Sequence, residues 1–378
     1  MISRSTSGEF TFILISALIG SELTLATQYL DQRQFGSSEL PVRPILRSLV
    51  SPSKYRFLRL PRTASLGLRL VVSSVMLVLL LTRFPTSDLQ ARWPEWSGTS
   101  WFWLVAAVAA SFIAFGLAAL RWLEVCRTLG NDLKFSTVFG YFLAGQFVGN
   151  FLPTTVGGDI LRVSRLGAEI RDHSSAFASV VIERLTGWLV LPVITIFALV
   201  IQPSLATSRA GVVALLGASG TLLLLLVLIL MAQHQRLGGR IRGNNSLSNS
   251  LAAVHRGLIS YRNVPTSMLR LLAVAFAFQL CLITAVICIA NSIGIDVELL
   301  TWIAFVPMVF IAQVLPVAIG GIGVREAALV LFLNSSGVSS GQSVVLGLAI
   351  YAVTLVASLA GAVPFVVGGG PSDMEEPP

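Results

Sequence analysis

Residues 152–162 read Leu-Pro-Thr-Thr-Val-Gly-Gly-Asp-Ile-Leu-Arg, and residues 315–325 read Leu-Pro-Val-Ala-Ile-Gly-Gly-Ile-Gly-Val-Arg. Each has Leu-Pro, three residues, Gly-Gly, three residues and an arginine. The correspondence extends upstream, where Phe142 aligns with Phe305, Phe147 with Phe310 and Asn150 with Gln313. Proline stops a helix by removing a donor and crowding the preceding turn. The glycines let backbone approach a ligand closely. A helix that restarts after Gly-Gly turns free N–H groups and its positive dipole end toward whatever lies before it, an arrangement that favours an anion. Arg162 and Arg325 add forked guanidinium donors suited to phosphate.

The candidate binding residues follow from this unit. Gly157, Gly158, Gly320 and Gly321 are the backbone approach points, and Arg162 and Arg325 are the anion contacts. Asp159, three residues before Arg162, is its orienter, and the spacing equally permits a local ion pair. Glu326 beside Arg325 either shapes the site or closes the repeat as an interfacial pair. Glu183 and Arg184 sit inside an apolar run on adjacent helix faces, so each is expected to pair elsewhere, with Arg162 or Arg165 as the structural alternative for Glu183. Asn150 and Gln313 either line the site or tie helices together. An isolated charge at mid-bilayer costs about 2.5–3.5 kcal/mol, so such residues are usually paired or functional.

The elements that must position these residues are membrane-spanning. The chain has 54% hydrophobic and only 12% charged residues, where a soluble domain has about a quarter charged. Apolar runs occur at 66–84, 101–120, 135–152, 177–201, 211–232, 271–293, 299–315 and 344–367, with Pro307 expected to break the seventh. Residues 327–333 form a further apolar stretch too short to cross. The expected fold is an all-α integral membrane protein with about six to eight transmembrane helices and two re-entrant or broken helices in an inverted repeat. Residues 1–65 read as a basic, partly disordered cytoplasmic extension, 66–368 as the membrane domain and 369–378 as an acidic tail. The segment 232–271 holds Arg236, Arg240, Arg242, Arg256, Arg262 and Arg270 and no acid, which marks a cytoplasmic loop. Asp296 and Glu298 lie in a connection without cations, which therefore faces outward. These assignments agree only if 135–152 enters and turns back. They put the N-terminus in the cytoplasm of a cell whose plasma (inner) membrane holds the chain.

Other chemistries lack their parts. His173, His234 and His255 have no metal-ligand spacing. Cys126, Cys281 and Cys288 form no CxxC pair, and no GxSxG, GxxxxGK[ST] or GxGxxG occurs. No metal and no cofactor is expected. The net charge of +8 lies between apolar runs and reports orientation rather than nucleic-acid binding.

Arg121-Trp122, Leu152-Pro153 with Gly157-Gly158-Asp159 and Arg162, Glu183-Arg184 with Gly187, and Pro316, Gly320-Gly321, Gly323, Arg325-Glu326 together resemble the transmembrane domain of lysylphosphatidylglycerol synthases. They look closest to its stand-alone, flippase-like members, over roughly residues 66–368. The resemblance implies a domain that moves an anionic lipid between leaflets. The soluble aminoacyl-transferase domain of the full-length synthases is not expected here, so catalysis of lysyl transfer is not either. A separate membrane or cytoplasmic synthase is then the implied partner. An integral membrane transferase acting on a lipid-linked substrate, with Asp159 or Glu183 as base, and a non-transporting scaffold are the alternatives.

Overall fold

Backbone in hydrocarbon finds its hydrogen bonds only within a helix or a closed barrel, so apolar runs of about twenty residues are expected to coil. A computed structural model describes residues 98–151, 157–233, 246–263, 265–314 and 321–367, and no strand occurs among the described residues. The helices are α1 Gly98–Thr128, α2 Phe135–Phe151, α3 Gly157–Glu169, α4 His173–Ile201, α5 Pro203–Thr207, α6 Arg209–Gln233, α7 Ser246–Asn263, α8 Pro265–Ser292, α9 Leu299–Val314, α10 Val324–Leu333, α11 Ser340–Ser358 and α12 Ala362–Val367. Five described stretches are long and apolar enough to cross a membrane: Gly98–Thr128, His173–Ile201, Arg209–Gln233, Thr266–Ser292 and Ser340–Val367. The chain is a multi-pass, all-α membrane protein. The expected run 66–84, the extension 1–65 and the tail 369–378 lie outside the described residues.

Local chemistry sets the ends. Asp172 caps α4, its Oδ1 accepting from the backbone N–H of Ser174 (2.9 Å) and Ser175 (3.1 Å). Ser339 opens α11 by accepting from Gln342 N at 3.3 Å. Gly130, at φ 88°, closes α1, with Asn131 N donating to Cys126 O at 2.9 Å and Gly130 N to Arg127 O at 3.0 Å. The same double bond closes α8 around Gly294 at φ 73°, where Ile295 N reaches Ala290 O at 2.9 Å and Gly294 N reaches Asn291 O at 3.2 Å. Both are left-handed glycine caps, and each is followed two residues later by an aspartate, Asp132 or Asp296.

The repeat is therefore longer than the Leu-Pro-Gly-Gly unit. The order α1–α2–α3–α4 recurs as α8–α9–α10–α11, and the packing obeys the correspondence. Where α1 packs on α2, α8 packs on α9; where α3 packs on α4, α10 packs on α11; where α2 meets α11, α9 meets α4. The two counterparts α1 and α8 pack on each other. Both interrupted helices fold back as hairpins. Gly149 and Gly145 of α2 lie against Gly158 and Arg162 of α3. Gln313 of α9 lies against Gly321, and Phe305 stacks on Phe332 of α10 with centroids 5.5 Å apart. α1, α4, α6 and α8 are all long and apolar enough to cross, whereas α2, α3, α9 and α10 are each shorter than eighteen residues.

Three expectations need correction. The run 101–120 continues as one helix to Thr128, so Arg121 and Trp122, expected at a span's end, are 4% and 0% exposed inside the bundle. At about 1.5 Å per residue the 31-residue α1 extends some 46 Å, far enough to leave the hydrocarbon while still helical. Pro307 does not break α9, which is continuous from Leu299 to Val314. Thr195 Oγ1 donates to Ala304 O at 2.9 Å, so α4 supplies a donor beside the rung the proline removes. The arginine-rich segment 232–271 is not all loop: α7 buries Ala253, Val254, Leu258 and Tyr261 against α4 and α8 and leaves Arg256 outside. On the far side of α6, Leu216, Leu223 and Leu230 project seven residues apart, 65–69% exposed, as a lipid-facing stripe.

Candidate functional site

The first hairpin places its arginine by close backbone approach. A Cβ at Gly145 would lie 2.9 Å from Arg162 Cγ, and one at Gly158 would collide with the Gly145 carbonyl. Glycine at both positions lets α2 and α3 close until the Arg162 stem runs between them. Its guanidinium then sits over the Trp122 ring at 4.1 Å and 5.0 Å from the Phe142 centroid, where ring quadrupoles attract a cation. Trp122 is fixed by its own Nε1–H, which donates to Ser179 Oγ at 2.9 Å.

Around this arginine four more charges form a chain. Glu183 of α4 takes one guanidinium on each oxygen: Arg121 of α1 donates to Oε1, and Arg162 Nη2 donates to Oε2 at 3.2 Å. Arg162 Nη1 reaches Asp159 Oδ1 at 3.4 Å, and Arg184 Nε pairs with Asp159 Oδ2 at 2.6 Å. Arg121 lies over the Phe278 ring at 4.7 Å. Gly187, one turn beyond Glu183, leaves room for the Arg121 guanidinium, since a Cβ there would fall 2.7 Å from Arg121 Nη1. Gln279 Nε2 donates to the Gly187 carbonyl at 3.3 Å and so ties α8 to the same turn.

Three guanidiniums (Arg121, Arg162, Arg184) face two carboxylates (Asp159, Glu183), which leaves one positive charge. Arg121 Nε and Nη1 and Arg162 Nε are buried without a hydrogen-bond acceptor. Exposure falls along the chain. The side chains of Arg184 and Asp159 are 43% and 16% exposed, those of Arg162, Arg121 and Glu183 no more than 5%. The network runs from the edge of the bundle to its interior.

The second hairpin is built differently. Gly323, at φ 87°, precedes α10, and its N–H donates to Glu326 Oε2 at 2.5 Å. Arg325 Nε donates to Glu326 Oε1 at 3.1 Å, and the guanidinium lies 5.3 Å from the Tyr351 ring. Glu326 is 0% and Arg325 3% exposed. Among the described residues no ion pair joins this pair to the first network; the expected residues fall into two sets, Asp159–Arg162–Glu183–Arg184 and Arg325–Glu326.

The remaining expected residues support these sets. Gly157 opens α3, and Gly321 carries the Gln313 side chain, whose Nε2 donates to Val309 O at 3.3 Å. Asn150 Nδ2 donates to Ser358 Oγ at 2.7 Å, and Tyr351 Oη donates to Asn150 O at 3.4 Å, so Asn150 fastens α2 to α11. Gly320 and residues 152–156 and 315–319 lie outside the described residues. Arg165 does not partner Glu183. It donates through Nη1 and Nη2 to the carbonyls of Pro364 and Phe365, both at 2.8 Å, and clasps the end of α12. Sequence reasoning gave Arg121 no part in the site. The signal was present in an arginine beside a tryptophan at the end of an apolar run, but that pattern also marks an ordinary interfacial anchor.

Residues 66–362 match a family model described as the lysylphosphatidylglycerol synthase TM region. The chain is also similar to a UPF0104 membrane protein of Methanothermobacter thermautotrophicus, 25% identical over 268 residues that cover 64% of this chain and 78% of that protein.

Proposed function

The chain belongs to the lysylphosphatidylglycerol synthase transmembrane-region family, and from that premise we propose that it moves an anionic lipid, a phospholipid or a polyprenyl phosphate, between membrane leaflets. The observation that carries this reading is the surplus charge of the first hairpin. A closed structural network would balance its ions; this one holds three cations against two anions within an apolar bundle, with orphaned N–H donors on Arg121 and Arg162. A phosphate oxyanion is attracted by that surplus and accepts from forked donors. Inverted hairpins with helix N-termini near the bilayer midplane are the recurrent architecture of secondary transporters, which gives Arg325 and Glu326 the matching role in the opposite half. In this reading the protein sits in the plasma (inner) membrane with its N-terminus in the cytoplasm and acts beside a separate membrane or cytoplasmic synthase that makes its lipid.

Purified protein in vesicles is expected to redistribute a fluorescent phosphatidylglycerol between leaflets, and Arg162→Ala and Arg325→Ala to abolish the movement. Equal movement by parent and variants removes the site. A covalently altered lipid in mass spectra of the vesicle extract, with no redistribution, replaces transport by transferase chemistry.

A further inference from the structure

Three carboxylates serve the two hairpins, and they are held unequally. Glu183 is gripped by guanidiniums from two other helices and its side chain is 3% exposed. Glu326 is fully buried, with one oxygen on the Gly323 N–H and the other on Arg325. Asp159 is the accessible one at 16%, and its contact with Arg162 is stretched to 3.4 Å. It stands in the first turn of α3, where free N–H groups and the helix dipole favour an anion. Its strongest partner, Arg184, is itself 43% exposed. Behind it the buried Arg162 Nε has no acceptor at all.

We infer that Asp159 is an internal substitute for the ligand: it occupies the place on Arg162 and Arg184 that a phosphate oxyanion takes, and it withdraws when that oxyanion arrives. The inference rests on the proposed anion-binding role of this network. A carboxylate offers two oxygens, and both are already used, one toward each arginine. A tetrahedral phosphate offers acceptors in further directions. It can bridge the same two guanidiniums and also reach the donor that Asp159 leaves unmet. The substitute lends the two guanidiniums one shared negative charge while the site is empty. Its presence sets the affinity lower than the bare arginines would give, because the ligand must displace a bound anion. It also favours phosphate over a carboxylate-bearing ligand, which offers nothing Asp159 does not already supply.

The test measures binding of two probes, dihexanoyl phosphatidylglycerol and inorganic phosphate, to the full chain in nanodiscs of zwitterionic lipid. Asp159→Asn is expected to bind about tenfold more tightly than the parent, the weight of one charge-assisted hydrogen bond returned to the ligand. Arg184→Gln is expected to weaken binding and to erase most of the gain in the double variant with Asp159→Asn. A merely structural aspartate would not produce that coupling. Tightening toward both probes assigns the oxyanion alone as the recognised group, and tightening toward the lipid only assigns the lipid as its source; both sustain the inference. Asp159→Ser is read in parallel should the asparagine variant not remain monodisperse. Parent-like affinity in the Asp159 variants overturns the substitute while leaving the proposed function standing, as does a gain undiminished by Arg184→Gln. Failure of parent and variants alike to bind either probe overturns both.

Discussion

The two hairpins start from the same eleven-residue pattern and treat their arginines in opposite ways. Arg162 reaches across helices: its carboxylates come from α3 and α4, its aromatic platform from α1 and α2, and a second arginine from α1 shares its glutamate. Arg325 is paired within its own helix to the next residue, and α11, which packs on α10, carries no charged side chain. The repeat spacing is 325 − 162 = 163, and carrying it forward sets Leu346 opposite Glu183 and Gly347 opposite Arg184. Gly347 is where the second half accommodates its glutamate, since a Cβ there would fall 2.7 Å from Glu326 Cγ. The two halves share their caps and hairpins and differ in where their charges sit. One half holds a graded, cation-rich path, and the other a buried neutral pair whose Arg325 Nη2 also lacks a hydrogen-bond acceptor.

The comparison can be broken most forcefully at Glu183. Glu183→Gln leaves Arg121 without a carboxylate and Arg162 with Asp159 alone, and thermal unfolding in detergent is expected to show a loss of about 3–5 kcal/mol, the usual result of breaking a buried pair from one side. Glu326→Gln keeps an oxygen for the Gly323 N–H and leaves one buried arginine, Arg325, uncompensated where Glu183→Gln affects two, so a smaller loss is expected by the same measurement. If the two losses prove equal, the distinction between a network and an isolated pair is wrong. Gly347→Ala should cost about 1–3 kcal/mol through overpacking against the fully buried Glu326, with Gly187→Ala costing less, because its neighbour is the far end of an arginine that can shift. Trp122→Phe retains a ring beneath Arg162 and loses the bond to Ser179, for about 0.5–1.5 kcal/mol. Smallest in stability is Arg184→Ala, under about 1 kcal/mol because the side chain is part exposed, yet its lipid movement is expected to fall as far as that of Arg162→Ala. A variant that melts like the parent and fails to transport would sharpen the contrast between a working edge and a structural interior.

Much of this was legible in the residues. The Leu-Pro-Gly-Gly-Arg unit located both hairpins, because proline and glycine act on the chain locally and their effect does not depend on distant partners. Glu183 and Arg184 were expected to pair in different directions, since adjacent helical positions face apart, and they do. What the sequence withheld depends on tertiary context. Pro307 leaves α9 intact beside a donor from another helix, which no local rule reveals. The amphipathic α7 was hidden by its arginines, whose number signalled orientation more strongly than their spacing signalled a helix. Arg121 read as the end of a span because the helix that carries it outruns the apolar stretch. The glycine-capped ends of α1 and α8 lay in plain view at Gly130 and Gly294, but their equivalence became visible only once both turns had the same hydrogen bonds.

The clasp between Arg165 and the carbonyls of Pro364 and Phe365 has a mechanical consequence. The chain's last apolar stretch belongs by its position to the second half, but its tip is fastened to the hairpin of the first, and Asn150 rivets the pair again at Ser358. A tilt of that stretch therefore pulls directly on the opposite hairpin, as one arm of a seesaw moves the other. Two separate fastenings, Arg165 on α12 and Asn150 on α11, thus hold one half's final helices to the other half's hairpin.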